Sequence, residues 1–320
     1  MGEAIAEAAR GFGATCAVQP MADGGEGTLE AFGGPEPADS GDRAAGVPVD
    51  AGWRLDDGRA VIEMAGASGL ELVGRRGRQR PDGRADKAGT GELISAAVEA
   101  GAREVLVGLG GSATTDGGLG ALRAMSPLAR FRGVELVAAC DVTTAFVDAA
   151  EVFGPQKGAS AAQVKLLRRR LERLVQVYRD EHGVDVADLP RAGAAGGLAG
   201  GLVVAGASLI DGFGAIAEAV DLYGLIEDAD LVVTGEGRLD ATSFAGKVVG
   251  GVIDLAAAAN VPVLVIAGQV DAGIEASVES GLDAGVPVID LRAAFGETAA
   301  MTATADCVRR AMARHLELSA

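Results

Sequence analysis

Histidine, cysteine and lysine are all scarce in this sequence, and each shortage narrows the chemistry that the chain can carry. The two histidines, His182 and His315, fall at the end of one predicted helix and within another, so carboxylates are the main candidates for acid–base work. The three cysteines, Cys16, Cys140 and Cys307, lie far apart without paired spacing. This pattern argues against a disulfide framework and a cysteine-rich zinc site, and it predicts buried thiols.

Long apolar runs and excess positive charge are also missing. No stretch reaches the roughly eighteen uninterrupted apolar residues that a membrane helix needs. The first residues lack the basic stretch and apolar segment of a secretory signal, so we expect a cytoplasmic protein that spans no membrane. The formal net charge of −17 makes nucleic acids and anionic membranes poor partners, because both attract basic surfaces. A chain of 320 residues is expected to form two domains.

Lysine is rare enough that its positions are informative. Lys157 lies inside a glycine loop and Lys247 follows another, while Lys165 belongs to a basic helix face that we interpret as solvated. Lys87 lies near the end of the charged stretch 75–88, which we interpret as a mobile surface loop. An anionic ligand of this acidic protein needs local positive charge, so the lysines beside glycine loops are candidates to bind it.

The apolar pattern alternates between strands and helices, most regularly in the last third of the chain. Short apolar runs predict strands at residues 16–19, 61–64, 104–109, 134–139, 231–234, 263–267 and 286–291. Helical spacing predicts helices at 2–10, between 90 and 101, after 160, at 247–259, around 274–280 and from about 299. Thr90 is the predicted cap of the second helix, and Ser160 with Gln163 forms a capping box for the third. The alternation predicts an α/β fold with parallel strands.

The segment from Gly110 to Gly118 is the strongest candidate ligand site. It follows a predicted strand and combines glycines with three hydroxyls and a carboxylate, so backbone N–H groups can converge on an anion while side chains bind phosphate or a metal. A tight turn without a ligand is the alternative. A dinucleotide fingerprint is a weak match, because residues 114–118 begin a helix poorly and no acidic residue ends a second strand about twenty residues later. No P-loop motif is present.

Four other loops carry charged or glycine-rich sequence. Residues 153–158 place a lysine between glycines just before the capped helix, where they can bind an anion or form a surface turn. Residues 193–198 permit either a close backbone approach or helix packing. Residues 234–240 follow a buried strand, at the edge where open α/β sheets collect ligands, and Asp23 and Glu26 present similar chemistry. Phosphoryl transfer suits this set, because it uses carboxylates for Mg²⁺, cations and backbone donors for phosphates, and an acid that accepts the hydroxyl proton.

Eight segments of the chain resemble type I glycerate kinases, in the same order and over nearly the whole length. They are residues 21–28, 63–65 with 68–70, 89–92, 110–118, 139–142, 152–158, 193–198 and 234–240. Eight segments in order are far more specific than one glycine loop. The resemblance implies ATP, Mg²⁺ and D-glycerate as ligands, with 2-phosphoglycerate favoured over 3-phosphoglycerate as the product.

The resemblance also implies two unlike α/β domains with the site in the cleft between them. One is a flavodoxin-like parallel-sheet domain built from both chain ends, residues 1–34 and 212–320. The other is an inserted α/β domain at residues 35–211. D-glycerate and ATP are then the partners, without nucleic acid or membrane, and a homodimer is an open alternative to a monomer.

We hypothesise roles for the residues of these loops. Asp116 and Asp23 are expected at the reacting hydroxyl or its metal, and the choice of the base between carboxylates stays open. We expect three cations to neutralise phosphate or the glycerate carboxylate. They are Lys157, which is also a candidate catalytic residue, Arg238 and Lys247. The further candidate substrate or phosphate ligands are Gly24, Gly25, Glu26, Gly110, Gly111, Ser112, Thr114 and Thr115. The candidate metal ligands are Asp141, Glu236 and Asp240.

Three departures from the family pattern qualify the activity that the resemblance implies. The family begins with a strand that ends in an Asp-x-Phe-Lys or Asp-Lys-Phe type loop, whereas this chain opens on the predicted helix at 2–10. We therefore expect one strand to be absent and the activity to be reduced. Residues 125–134 are shorter than usual, residues 143–146 replace Asn-Pro-Leu, and Thr115 stands where asparagine is commoner. The alternative function is a homologue that binds ligand without turnover, and a dehydrogenase is a distant third.

Overall fold

The computed structural model divides the chain into two compact units. It describes residues 1–35, 51–70, 72, 87–244, 247–272, 274 and 286–319. The larger unit is the continuous segment Ala22–Ile216, and the smaller unit combines Met1–Met21 with Ala217–Ala320. This division into units does not test the predicted domain boundaries at residues 34 and 212, which stay a prediction.

Eight described strands form two sheets. The strands are β1 (Trp53–Asp56), β2 (Arg59–Glu63), β3 (Glu104–Gly108), β4 (Glu135–Cys140), β5 (Ser208–Asp211), β6 (Val232–Leu239), β7 (Val263–Val270) and β8 (Val288–Asp290). One sheet has the order β1-β2-β3-β4-β5 and the other β6-β7-β8. All neighbours pair in parallel except β1 with β2. The predicted α/β fold class is confirmed.

The described helices alternate with these strands. They are α1 (Gly2–Gly11), α2 (Thr28–Ala31), α3 (Met64–Ser68), α4 (Ala88–Glu99), α5 (Leu119–Ala124), α6 (Ala149–Phe153), α7 (Ala161–His182), α8 (Ala194–Val204), α9 (Gly212–Ala219), α10 (Leu222–Glu227), α11 (Val248–Ala259), α12 (Leu291–Phe295), α13 (Glu297–Thr302) and α14 (Thr304–Ser319). Short 3-10 helices occur at Leu128–Phe131, Pro155–Lys157 and Ala241–Phe244.

The larger sheet is buried because its central strands are apolar on both faces. In β3 the side chains of Val105 and Val107 face one apolar cluster with Leu93 of α4, while Leu106 faces another. Continuous apolar runs of this kind are typical of parallel strands covered on both sides. Asp57 and Gly58 make the turn of the β1–β2 hairpin, both with positive φ, as a two-residue hairpin turn requires.

The long helix α7 begins where the sequence predicts it to begin. The Ser160 hydroxyl accepts a hydrogen bond from the Gln163 N–H, and the Gln163 side chain accepts one from the Ser160 N–H. This reciprocal pairing satisfies two N–H groups that a helix start otherwise leaves unpaired. Leu171, Val175 and Tyr178 of this helix are buried, whereas Lys165 of its basic face is exposed, so the helix is amphipathic.

The smaller unit packs helices against its three strands. Apolar side chains of α1 and α14 form one cluster with Leu264 and Ile266 of β7. Helix α11 covers β6 and β7. By length and composition alone the stretch Ala241–Ala259 could cross a membrane. In the structure it comprises a 3-10 turn and the 12-residue α11, which is shorter than the ~20 residues of a spanning helix.

Three local predictions are wrong. Residues 16–19 form no strand; Cys16 instead accepts a hydrogen bond from Arg10 of α1 through its carbonyl oxygen. Thr90 does not cap α4, which begins at Ala88, and its hydroxyl lies 2.9 Å from that of Ser68. Residues 234–239 are strand rather than loop, because β6 pairs with β7 over its whole length.

Two further predictions concern residues outside the part of the chain that the structure describes. The predicted helix around 274–280 falls there except for Ile274. The charged stretch 75–88 falls there except for Lys87 and Ala88, both of which are ordered parts of the fold.

Candidate active site

The candidate site lies at the carboxyl edge of the larger sheet. The parallel strands β2, β3, β4 and β5 end there at Glu63, Gly108, Cys140 and Asp211. Loops that follow parallel strands meet at this edge, which is where open α/β sheets bind ligands. The Gly110–Gly118 loop follows β3 and therefore lies at this edge.

The loop that contains Asp23 and Glu26 packs tightly against the same edge. The Gly110 N–H donates a hydrogen bond to the Gly24 carbonyl oxygen at 3.0 Å. A Cβ atom on Gly110 would lie 2.2 Å from the Gly25 Cα atom, and one on Gly24 would lie 2.6 Å from the Ala139 carbonyl oxygen. Glycine is required because the two backbones touch. The structure thus brings Gly24, Gly25 and Gly110 together, as the sequence leads us to expect.

Two buried lysines form the centre of the site. Lys87 Nζ donates hydrogen bonds to the Ser112 hydroxyl at 2.5 Å and to the Thr114 hydroxyl at 2.7 Å. Lys157 Nζ donates to the same Ser112 hydroxyl at 3.1 Å and to the Thr114 carbonyl oxygen at 2.7 Å. Lys87 is fully buried and Lys157 is 7% exposed. Two buried basic groups that share one hydroxyl are an unusual and costly arrangement, and such sites are functional candidates.

The environment of Lys157 acts strongly on its protonation. Desolvation by burial is the largest cause, and together with the positive charge of Lys87 it lowers the pKa of the Lys157 amine well below its ordinary value. The negative charge of Asp116 acts in the opposite direction and is the smaller effect. Lys157 is therefore easier to deprotonate than a surface lysine.

Asp116 organises the backbone around the lysine pair. One carboxylate oxygen accepts hydrogen bonds from the Lys87 N–H and the Gly120 N–H, both at 3.1 Å, and the other accepts from the Gly118 N–H at 3.2 Å. These bonds join the start of α5 to the residue before α4. Asp116 therefore supplies negative charge beside the lysines and also fixes the position of Lys87.

Left-handed backbone at the start of α8 completes the wall of the site. Ala195, Gly196 and Gly197 have φ values of 52°, 67° and 87°, a conformation that ordinary side chains adopt rarely. The Gly196 carbonyl oxygen accepts the Gly117 N–H, and the Ala195 carbonyl oxygen lies 3.2 Å from the Ser112 hydroxyl. The glycine-rich segment 193–198 is thus a close backbone approach, which settles the alternative that the sequence leaves open.

Other predicted residues of the larger unit surround this centre at greater exposure. Asp23 is half-buried and accepts the Gly25 N–H at 3.2 Å, whereas Glu26 is exposed. Thr115 is half-buried next to Thr114, and Asp141 is half-buried directly after β4. Gly111 is exposed and has a φ of 66°.

An acidic cavity of about 550 Å³ lies at the same edge of the sheet, next to the loop that contains Glu26. The described residues on its wall include Glu26, Glu30, Glu63 and Gly66, and Lys87 and Lys157 are not among them. Burial raises the pKa of the Glu63 carboxyl, against the opposing effect of the hydrogen bond from the Leu29 N–H. Three carboxylates repel an anion, so the lysine pair rather than this cavity is the candidate phosphate site.

The remaining predicted residues belong to the smaller unit. Glu236 and Arg238 lie in β6, and Arg238 forms two hydrogen bonds of 2.8 Å with the Asp271 carboxylate. The Asp240 carboxylate accepts hydrogen bonds from the Thr242 hydroxyl and N–H, which hold the pKa of this carboxyl below its ordinary value. Arg238 and Asp240, at and just after the end of β6, are therefore held by Asp271 and Thr242.

Lys247 belongs to the same end of the smaller sheet. It is half-buried and occupies the cap position of α11. Its charge lies near Asp240, whose pKa it also lowers. A cation at this position remains a candidate to bind an anion.

The donor set of the lysine pair fits a phosphate group better than a metal. Lysine N–H groups and hydroxyls donate hydrogen bonds to phosphate oxygens. Among the described residues, no group of three or more His, Cys, Asp or Glu side chains is placed to hold a metal ion. Mg²⁺ commonly binds through one or two carboxylates together with substrate phosphates, so Asp141, Glu236 and Asp240 stay candidate ligands of a metal that arrives with a nucleotide.

Sequence reasoning missed Lys87, the most buried of the charged site residues. The charged stretch before it suggests a solvated loop, and this interpretation is wrong for Lys87 itself. Two signals could have identified it: it is one of four lysines, and it directly precedes the helix that contains Gly89, Thr90 and Gly91.

Comparisons with known proteins show which family this chain resembles. The family model described as the glycerate kinase family matches residues 1–128 and 125–319. The chain is 37% identical to a glycerate kinase of Halalkalibacterium halodurans, covering 84% of this chain and 80% of the relative. It is 38% identical to glycerate 2-kinase of Escherichia coli, covering 83% and 79% of the two chains.

A solved structure is also similar to this chain. A Salmonella typhimurium LT2 protein assigned as a glycerate kinase 2 superposes with a TM-score of 0.77 at 33% identity, covering 98% of this chain and 91% of the other. The family model spans both compact units, and the similarity to this structure extends over nearly the whole chain. The chain therefore belongs to the glycerate kinase family.

Proposed function

We propose that this protein transfers the γ-phosphoryl group of ATP to D-glycerate in the cytoplasm and that 2-phosphoglycerate is the product. Membership of the family and the names of the relatives, among them a glycerate 2-kinase, support the substrate and the position of transfer. The observation that carries the proposal is the buried pair Lys87 and Lys157 on the hydroxyls of Ser112 and Thr114.

The lysine pair suits phosphoryl transfer for an electrostatic reason. Charge builds up on the transferred group and on the leaving oxygen during the reaction. Cations that are already in place in a dry site stabilise that charge strongly, because no solvent must reorganise. Lys87 meets this requirement, since its ammonium is fixed by Ser112 and Thr114 and its backbone by Asp116.

The candidate ligands of the smaller unit have a supporting role in this proposal. Lys247 is the stronger candidate to bind an anionic part of a substrate, because Arg238 already pairs with Asp271. Glu236 and Asp240 are the proposed ligands of Mg²⁺ in the smaller unit, and Asp141 is a proposed ligand in the larger unit. When bound, Mg²⁺ would neutralise phosphate charge.

Release of ADP that depends on glycerate tests the proposed function. The purified protein is mixed with ATP, Mg²⁺ and D-glycerate, and ADP is followed by a coupled assay, while ³¹P NMR identifies the phosphoglycerate. We expect 2-phosphoglycerate. Binding of glycerate without ADP release would identify a homologue that does not turn over, and 3-phosphoglycerate would correct the position of transfer.

The variant Asp116→Asn tests the assigned centre. Asparagine cannot supply the negative charge, and its amide nitrogen cannot accept the N–H groups of Lys87 and Gly120. We expect at least a tenfold fall in kcat. Asp185→Asn, which changes an exposed carboxylate on the same unit, serves as the control. Unchanged turnover in folded Asp116→Asn protein would remove Asp116 from the site.

A further inference from the structure

The hydrogen bonds of the two lysines differ in a way that bears on their protons. Lys87 Nζ has three acceptors: the Ser112 hydroxyl at 2.5 Å, the Thr114 hydroxyl at 2.7 Å and the Thr114 carbonyl oxygen at 3.5 Å. Lys157 Nζ has two acceptors among the described residues: the Thr114 carbonyl oxygen at 2.7 Å and the Ser112 hydroxyl at 3.1 Å. An ammonium has three N–H groups, whereas a neutral amine has two N–H groups and a lone pair. The geometry matches an ammonium on Lys87 and a neutral amine on Lys157.

We propose, on the basis of the proposed function, that Lys157 is the general base of the reaction and holds a lone pair that accepts the proton of the glycerate hydroxyl. Lys87 remains the permanent cation of the pair. The two lysines would then divide the work: one removes a proton and the other stabilises the charge of the transferred group.

The groups that face Lys157 come from each of the elements packed around it. Lys87, before α4, disfavours a second positive charge, and Asp116, in the loop after β3, favours it. On α6 the Phe153 ring lies 5.9 Å from Lys157 Nζ. Burial adds to the effect of Lys87 and outweighs that of Asp116, so the pKa of Lys157 lies below its ordinary value.

The acids on neighbouring helices are occupied elsewhere. Asp148 and Glu151 both pair with Arg168 of α7 at 3.1 Å. Both are partly exposed and share the one Arg168 guanidinium, and the acid whose charge acts on Lys157 is Asp116.

Asp116 is a poorer candidate for the base than Lys157. Both of its carboxylate oxygens accept backbone hydrogen bonds that hold the loop together. Protonation of Asp116 during each cycle would weaken these bonds. Protonation of Lys157, in contrast, creates a positive charge next to the new phosphate ester just as that ester gains negative charge.

The chemical step balances as follows. The glycerate hydroxyl oxygen forms a bond to the γ-phosphorus of ATP, while the bond from that phosphorus to the β–γ bridging oxygen breaks and ADP leaves with the electron pair. The hydroxyl proton passes to the Lys157 lone pair. Lys157 returns the proton to water once the phosphoglycerate has left, and no redox partner is needed.

Lysine NMR tests the neutral amine without reference to turnover. The full-length protein, labelled with ¹³C-lysine, contains only four lysines, so Lys157→Arg, Lys87→Arg and Lys165→Arg variants assign the Cε signals. We expect the Lys157 signal to titrate well below the ordinary pKa of a lysine side chain, about 10.4. A Lys157 signal that remains that of an ammonium up to the ordinary lysine pKa would overturn the proposal.

Kinetics test the role of the base. General bases contribute typically ~10²- to 10⁴-fold, so we expect Lys157→Met to lower kcat by ~100-fold or more and to abolish the acidic limb of the kcat profile. The apparent pKa of the acidic limb in the wild-type kcat/KM profile, which reports the free enzyme, should equal the one from NMR. Lys157→Arg, which keeps the charge but cannot deprotonate, should be as inactive as Lys157→Met. Lys165→Arg should behave like wild type.

Two outcomes distinguish a failure of the proposed base from a failure of the proposed function. If the wild-type protein turns over glycerate while Lys157→Arg keeps kcat within threefold, Lys157 is a phosphate-binding cation and not the base. If the wild-type protein shows no glycerate-dependent ADP release, the proposed function fails and the base role fails with it, even if the NMR titration finds a neutral amine.

Discussion

At the residue scale, the backbone conformation of individual glycines determines the shape of the site. Gly196 has a φ of 67°, and a Cβ atom there would lie 2.0 Å from the Thr114 carbonyl oxygen, which is the acceptor of Lys157. Gly183 has a similar φ of 70° after α7, but a Cβ atom there meets nothing within 4 Å. The two positions therefore separate backbone preference from steric contact.

Gly196→Ala should disrupt the site far more than Gly183→Ala. Left-handed backbone alone costs ~1–2 kcal/mol for alanine, and this cost applies to both variants. The clash with Thr114 applies only at Gly196, so we expect a larger loss of thermal stability and at least a tenfold loss of kcat/KM. Thermal melts and steady-state kinetics of both variants check this. Equal effects would show that the close approach at Gly196 does not matter.

Glu63 gives a prediction about pH. Its carboxyl pKa is raised above the ordinary value of 4.5, chiefly by burial, so the folded state binds this proton more tightly than the unfolded state. The resulting penalty on stability is absent below pH ~4.5 and grows as pH rises through the folded-state pKa. Glu63→Gln should remove this decline, so that its stability relative to wild type increases with pH over that range.

Denaturant titrations between pH 4 and 8 measure the effect of Glu63→Gln. Glu218→Gln, which changes an exposed carboxylate of the smaller unit, is the control for loss of one negative charge. Parallel stability curves for wild type and Glu63→Gln would contradict the prediction.

At the scale of elements, helix α7 holds the loop that contains Asp116 in place. The Tyr178 hydroxyl donates a hydrogen bond of 2.9 Å to the Gly117 carbonyl oxygen, and its ring packs edge-on against Phe146. Gly117 has a φ of 69° and directly follows Asp116. Helix α7 thereby holds the loop in the conformation that orients the Asp116 carboxylate.

Tyr178→Phe should loosen this support without changing the packing of the ring. The Gly117 carbonyl oxygen would lose its buried partner, which costs ~1–3 kcal/mol. We expect a drop in thermal stability and a fall in kcat that exceeds any change in KM. The chain has two tyrosines, and Tyr223→Phe at an exposed position is the matched control. Activity equal to wild type would mean that the loop keeps its conformation without Tyr178.

Elements whose signals are local were predictable from sequence, and those fixed by distant partners were not. The capping box at Ser160 and Gln163 needs only neighbouring residues, and this prediction is confirmed. The segment Gly235–Arg238 reads as a loop, but pairing with β7 makes it strand. The β1–β2 hairpin was not predicted, although Asp57-Gly58 is a strong hairpin signal.

The residues of the candidate site also divide into those that sequence could indicate and those that depend on distant partners. The glycines of the Gly24 and Gly110 loops could be picked out from sequence, and the structure shows that their backbones touch where only glycine fits. The burial of Lys87 could not be read from its charged flank, since its acceptors Ser112 and Thr114 are more than twenty residues away. The protonation of Lys157 depends on burial and on Lys87 together, which no spacing in the sequence reveals.

At the scale of the whole molecule, each unit has its own apolar core. The clusters around β3 and around α7 lie within 22–216, and the cluster of α1, α14 and β7 lies within the smaller unit. The larger unit is one continuous segment, whereas the smaller one needs both chain ends. A unit with its own core and an uninterrupted chain can in principle fold alone.

We therefore predict that the isolated segment 22–216 folds and keeps the lysine pair, because Lys87, Lys157, Ser112 and Thr114 all belong to it. It should unfold cooperatively by circular dichroism, and its Lys157 Cε signal should titrate as in the full chain. The segment 217–320 is the contrasting fragment: without α1 it exposes apolar side chains of α14 such as Val308 and Ala311, so we expect it to be less ordered until residues 1–21 are restored. A segment 22–216 that stays unfolded would show that its core depends on the rest of the chain, and a well-folded 217–320 would show that α1 is dispensable.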